Sequence, residues 1–149
     1  MPTREPDTVE LIIPCDPKYV TVVRLTVAGV AARSGLTVED IDDLKVAVSE
    51  ACTNAIDHAF EEAGDARAYT RRVHIRLAPR EGEMRIEVED EGRGFDPRHV
   101  KESLQQREPS GEGGLGLYLI ERLTDELKVE SAPGSGTKII MTKRVARKS

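Results

Sequence analysis

Val46-Ala-Val-Ser-Glu50-Ala-Cys-Thr-Asn54-Ala-Ile-Asp-His58-Ala-Phe60 is the stretch whose periodicity decides the fold. Ile41, Leu44, Val48, Ala51, Ala55 and Ala59 recur at helical spacing and form one apolar stripe, which needs a surface to lie against. Thr37 is a good N-cap, and Asp40 three residues on completes a capping-box-like start. The spacing therefore predicts one long helix running to about Phe60. Outward from it, the period changes. After a polar linker, Glu61 to Thr70, the segments Val73–Leu77 and Met84–Val88 alternate as strands around the hairpin signal Pro79-Arg-Glu-Gly82. Upstream, Val9–Pro14 reads as a short strand. Pro17–Arg33 reads as a helix carrying Val20, Val23, Val27 and Val30 and closed by Ser34-Gly35. Downstream, Leu115–Leu123 is a short helix, and Leu127–Ser131 and Thr137–Thr142 are strands joined by Pro133-Gly-Ser-Gly136. This order predicts an α/β two-layer sandwich, with a mixed, mostly antiparallel sheet and helices on one face.

The bulk properties fit a single domain over 1–149. A chain of 149 residues is close to the commonest domain size. With 38% hydrophobic and 33% charged residues it has no disordered signature. Aromatic content of 3% and a net charge of −5 argue against a nucleic-acid surface. The basic tail at about 143–149 reads as a solvated end. Cys15 and Cys52 make no disulfide framework. No apolar run approaches a membrane span, and the polar N-terminus lacks signal-peptide character, so the expected setting is cytoplasmic.

Three segments carry chemistry. Glu50 and Asn54 lie one helical turn apart, on a face read as roughly opposite the Leu44–Ala51–Ala55 stripe. Solvation is the ordinary use of such a face, yet Asn is a poor mid-helix residue, and Mg²⁺ takes one or two protein oxygens beside phosphates and water. A carboxylate one turn away from such an ion could take a proton from an attacking hydroxyl. Asp90 ends a strand and enters Gly92-Arg-Gly94. An ionised carboxylate only accepts hydrogen bonds, which suits the exocyclic amine of adenine, although a plain Asp-Gly turn has the same sequence. Gly111-x-Gly113-x-x-Gly116 matches the dinucleotide fingerprint in letters. It fails in context, because Lys101–Ser110 is no buried strand and Glu130 is too close to serve as the ribose acid. No Gly-Lys-Ser/Thr of a Walker A loop occurs either. What survives is a glycine cluster opening a helix near Leu115, whose amides can hold phosphate oxygens.

Together these segments resemble the N, G1 and G2 boxes of the GHKL ATPases. They resemble still more closely the bacterial anti-sigma-factor serine kinases of the RsbW/SpoIIAB type, from Leu11-Ile-Ile-Pro14 to Gly136-Thr-Lys-Ile139. The resemblance implies the Bergerat ATP-binding fold, with ATP and Mg²⁺ as cofactors. It implies Glu50 as general base, Asn54 as magnesium ligand and Asp90 as adenine acceptor. Gly92, Gly94, Gly113, Gly114, Leu115 and Gly116 would shape the nucleotide pocket, Thr137 would support the adenine through its hydroxyl, and His58 would face the phosphates or the lid. About 96–112 corresponds to the nucleotide lid.

The implied function has two outputs. As a protein serine kinase the chain would phosphorylate an anti-anti-sigma factor, and as an anti-sigma factor it would sequester a sigma factor. A homodimer contacting through Val9–Arg33 is expected, with no direct nucleic-acid or membrane partner. The alternatives are a sigma-sequestering module that binds nucleotide with little turnover, or a switch kinase of the same superfamily. A histidine kinase would need a phosphoacceptor His upstream of Glu50, and His58, His74 and His99 all lie downstream.

Overall fold

The computed structural model describes residues 7–68, 70–92, 114–132, 134 and 136–145. The segment 96–112, expected to be the lid, and the end of the basic tail lie outside them. Five strands form one sheet: β1 (Val9–Pro14), β2 (Arg72–Arg80), β3 (Glu83–Asp90), β4 (Glu126–Ser131) and β5 (Thr137–Arg144). Their spatial order is β1-β2-β3-β5-β4. All four pairings are antiparallel, so no parallel pair occurs among the described strands. Helices α1 (Val20–Ala31), α2 (Val38–Ala68) and α3 (Gly114–Leu123) complete the described regular structure, with a 3-10 turn at Pro17–Tyr19.

Strand alternation builds the sheet. Val73, Ile75 and Leu77 of β2, Met84, Ile86 and Val88 of β3, and Ile139 and Met141 of β5 are all buried on one face. Val23 and Val27 of α1, Leu44, Val48 and Ile56 of α2, and Leu117 and Ile120 of α3 join them in one core. The opposite face carries charge ladders, such as Glu10–Arg76 at 3.0 Å and Glu89–Lys138 at 3.4 Å. Such exposed pairs contribute little stability but keep that face wet. Cys15 and Cys52 are free and buried, and burial pushes the Cys52 thiol up to about 12, as fits a small core residue.

Local rules explain the boundaries. The capping box forms in both directions: Asp40 N–H donates to Thr37 Oγ1 at 3.1 Å, and Thr37 N–H to Asp40 Oδ2 at 3.3 Å. The β2–β3 hairpin closes through Glu81-Gly82, with Gly82 at φ 79°. Pro79 sits inside β2 because its nitrogen points beyond the end of β1, whose Val9 pairs with Leu77.

Two expectations are corrected. Helix α2 does not stop near Phe60 but continues to Ala68, with a break at Gly64 (φ 73°, ψ 166°). The expected polar linker is therefore mostly helix, and its last residue, Ala68, is buried in the core. Lys143 and Arg144, read as the start of a solvated tail, are the last residues of β5. Lys143 Nζ donates to Leu123 O at 2.9 Å and to Asp43 Oδ2 at 3.3 Å, with its side chain only 13% exposed. It thus ties the end of α3 and the first turns of α2 to β5. Replacing it by Met leaves that carboxylate and carbonyl without their donor. Lys143→Met is expected to cost ~1–3 kcal/mol, a drop of several degrees in the thermal midpoint; an unchanged midpoint contradicts this role.

Candidate functional site

The site is assembled where α2, α3, β3 and β5 meet. Ala51, Asn54, Ala55 and His58 of α2, Val88 and Asp90 of β3, Leu117 of α3, and Thr137 and Ile139 of β5 line one cavity of about 10 Å³. That volume holds roughly one water, so the cavity must widen to admit a purine ring. Its walls are apolar, and four polar side chains converge on it: Asn54, His58, Asp90 and Thr137.

Helix rotation explains the α2 members, and it corrects the face assigned to Asn54. At 100° per residue, the stripe from Ile41 to Ala59 is centred about 30° to one side of Leu44, and from that centre His58 stands at about 70°, Asn54 at about 110° and Glu50 at about 150°. His58 and Asn54 flank the stripe and reach the cavity beside Ala51 and Ala55, whereas Glu50 is roughly opposite it. Glu50 stands half-buried on α2, one turn before Asn54 and outside the cavity lining. His58 shares the cavity with Asp90 and exerts a charge effect on it. It therefore stands at the Asp90 end of the cavity; the lid it was expected to face lies outside the described residues.

Asn54 meets α3 at Gly116. A Cβ on Gly116 would lie 2.6 Å from Asn54 Nδ2 and 2.9 Å from Oδ1, so any larger residue there must displace the Asn54 amide. Asn54 Nδ2 is buried and has no hydrogen-bond partner among the described residues. A buried amide left unpaired costs stability and calls for a partner outside the chain, such as a ligand or water. No group of three or more His, Cys, Asp or Glu side chains suited to a metal occurs among the described residues. A cation here would draw its remaining ligands from a bound phosphate and water.

Asp90 is held by the register of the sheet. It pairs with Thr137 across β3–β5, and Thr137 pairs with Ser131 across β4–β5. Gly92 N–H donates to Asp90 Oδ1 at 2.8 Å. Burial raises the Asp90 carboxyl above the ordinary carboxylate range, with Glu62 pushing the same way; the Gly92 and Thr137 amides and His58 oppose it. The sign follows: the raised value means that ionising Asp90 costs folding stability, a cost absent at low pH and imposed as pH rises through it. A buried carboxyl shifted in this way is a candidate functional group.

Several participants were missed. Gly136, at φ 75°, packs so closely that a Cβ would lie 2.5 Å from the Asp90 carbonyl oxygen. Ser131 Oγ lies 2.9 Å from Thr137 Oγ1. Glu62, ion-paired with Arg71 at 2.6 Å, places its carboxylate 3.3 Å from where a Gly92 Cβ would stand. The Pro-Gly-Ser-Gly turn was the one available signal for Gly136, while nothing local marks Ser131 or Glu62. Leu115 is 59% exposed at the start of α3, and Gly114 is that helix's first residue. Gly94 and Gly113 lie outside the described residues.

Residues 13–143 match the family model for the histidine kinase-like ATPase domain, and the chain belongs to that family. Its relatives narrow the class. The chain is 45% identical to the serine-protein kinase RsbW of Bacillus velezensis over 143 residues, covering 92% of this chain and 85% of that one. The Staphylococcus aureus RsbW is 37% identical, with 95% and 89% covered. The chain is thus an RsbW-like serine kinase of the GHKL type. Solved structures agree in fold. The SiaB–SiaC complex of Pseudomonas aeruginosa gives a TM-score of 0.69 at 14% identity, covering 90% of this chain and 88% of that one. The RsbU and RsbW domains of a Mycobacterium tuberculosis protein give 0.65 at 21%, covering 96% and 33%.

Gly116→Ala tests the close approach. Alanine favours the helix by up to ~1 kcal/mol over glycine, so the variant is expected to fold while displacing the Asn54 amide. Fluorescent ATP-analogue titration should show at least tenfold weaker binding with an undiminished thermal midpoint. Unchanged affinity contradicts the assignment.

Proposed function

We propose that this kinase phosphorylates a serine of an anti-anti-sigma factor and, in a separate complex, sequesters a sigma factor. The unbonded Asn54 amide, buried against Gly116 one turn from Glu50, carries the reading. The residues fit a magnesium nucleotide, since an amide turned by 180° presents its oxygen where nothing else competes. Asn54 would then hold Mg²⁺, which, when bound, offsets the charge on the phosphates. Asp90 and Thr137 would take the adenine end, with His58 beside them. The glycines opening α3, together with Gly94 and Gly113, would bring backbone amides and the helix N-terminus to the phosphates.

Glu50 would act on the partner's serine. Its carboxylate takes the hydroxyl proton as the serine oxygen bonds to the γ-phosphorus, the bridging bond to the β-phosphate breaks, and ADP leaves. Its half-exposed place outside the cavity suits a base that must meet a second protein. The exposed apolar residues Ile12 and Leu25, on β1 and α1, support a homodimer contact within Val9–Arg33. A cytoplasmic setting and the lid role of 96–112 belong to the same reading.

Glu50→Ala is expected to lower phosphotransfer by roughly 10²–10⁴-fold while ATP affinity stays within a few-fold, measured with labelled ATP and candidate anti-anti-sigma proteins. Near-normal single-turnover transfer contradicts the base assignment. Asp90→Asn is expected to weaken ATP far more than sigma-factor binding, without lowering the nucleotide-free thermal midpoint at neutral pH. Equal loss of both would assign Asp90 a structural role.

A further inference from the structure

Two carboxylates crowd one glycine at the Asp90 end of the site. A Cβ on Gly92 would lie 3.0 Å from Asp90 Oδ1 and 3.3 Å from Glu62 Oε2. Like charges this close, partly removed from water, oppose each other's ionisation. Arg71 meets the second of them: its Nη1 lies 2.6 Å from Glu62 Oε2, with the two side chains 26% and 17% exposed. Arg71 is itself fixed through its backbone. Its N–H donates to Ala68 O at 3.0 Å, and its carbonyl accepts from Cys15 N–H at 3.2 Å. The guanidinium therefore springs from a junction between the end of α2 and the residue after β1, not from a free surface arm.

The groups facing Asp90 come from each neighbouring element. From α2, His58 favours its charge and Glu62 opposes it. Past β1 lies Cys15, its thiol raised first by burial and then by Asp90 and Glu91, with Arg71 and Arg72 countering the rise. Glu91 follows Asp90 along the chain and pairs with His74 at 3.5 Å. Thr137 of β5 and Leu117 of α3 share the cavity and bring no charge.

We propose that Arg71 is a positioning residue for nucleotide binding: by pinning and neutralising Glu62 beside Gly92, it leaves Asp90 as the charged acceptor at this end of the cavity. The inference rests on the reading of Asp90 as the acceptor for the base, but neither Arg71 nor Glu62 lines the cavity; both act through Asp90. Loss of the guanidinium makes the potential at Asp90 more negative, whatever other contacts Glu62 keeps. Asp90 then takes up its proton at a higher pH, and acidification cancels the acceptor sooner.

Displacement of a fluorescent ATP analogue by ATP, followed from acid to neutral pH, tests this in the wild type, Arg71→Met, Arg71→Lys and the double variant Glu62→Gln/Arg71→Met. In Arg71→Met the loss of affinity on acidification is expected to begin about one pH unit higher, so that ATP binds about tenfold more weakly on the acid limb and far less altered at neutral pH. Arg71→Lys keeps the charge and should restore most of the wild-type profile. The double variant removes both charges and should return towards it too. An Arg71→Met profile that coincides with the wild type overturns the proposal. So does a pH-independent loss that the double variant shares, which is the mark of a structural role. Asp90→Asn separates the two levels. If it weakens ATP while Arg71→Met keeps the wild-type profile, only the Arg71 role fails; if it leaves ATP affinity untouched, the base-end assignment fails with it.

Discussion

Burial of one stripe of α2 against the sheet is the constraint on which the rest depends. Leu44, Val48, Ala51, Cys52, Ala55, Ile56 and Ala59 are all removed from water, and each is worth hydrophobic free energy in proportion to the apolar area it hides. Once that stripe is down, the rotation of the helix has no freedom left. Asn54 and His58 are then forced to the edge of the contact, where a polar side chain is half-buried and a cavity can form. Glu50, a further 40° round at 100° per residue, is left where a partner can reach it. Core packing thus sets three polar residues of one helix apart: Asn54 and His58 on the cavity and Glu50 half-buried outside it.

A second constraint comes from sheet register. Asp90, Thr137 and Ser131 stand in one row across β3, β5 and β4, so a slip of one residue would send the row to the other face of the sheet. Gly136 allows the chain to enter β5 tightly against Asp90. The site is therefore built on rigid elements on two sides, α2 and the sheet. Asp90 is kept at some expense in stability, as its raised carboxyl shows. The unbonded amide at Asn54 is a second such departure from an optimally satisfied interior, alongside Arg85 Nε among the described residues.

Much of this was legible in sequence, for identifiable reasons. Strand alternation, the Thr37–Asp40 capping box and the turn residues are local signals, and the described elements follow them closely. The α2 boundary was not legible, because the polar run after Phe60 reads as a linker while the helix continues to Ala68. Lys143 was misread for the opposite reason: a cluster of cations looks like a solvated tail, and only the fold brings Asp43 and the Leu123 carbonyl to it. The site showed the same division. Asn54, Asp90, Gly116 and Thr137 could be named from motifs, whereas Ser131, Gly136 and Glu62 act through strand pairing and helix approach that no short pattern contains. The face of α2 that carries Asn54 was placed too far from the stripe, an error of rotation that burial corrects.

The central claim is that the Asn54 amide holds the metal of a magnesium nucleotide. The most direct test is the Mg²⁺ dependence of ATP affinity, compared between the wild type and Asn54→Ala by calorimetric titration. The account predicts that Mg²⁺ tightens ATP binding to the wild type and that Asn54→Ala, still folded, loses most of that enhancement while keeping its metal-free affinity. Full Mg²⁺ enhancement in Asn54→Ala would contradict it.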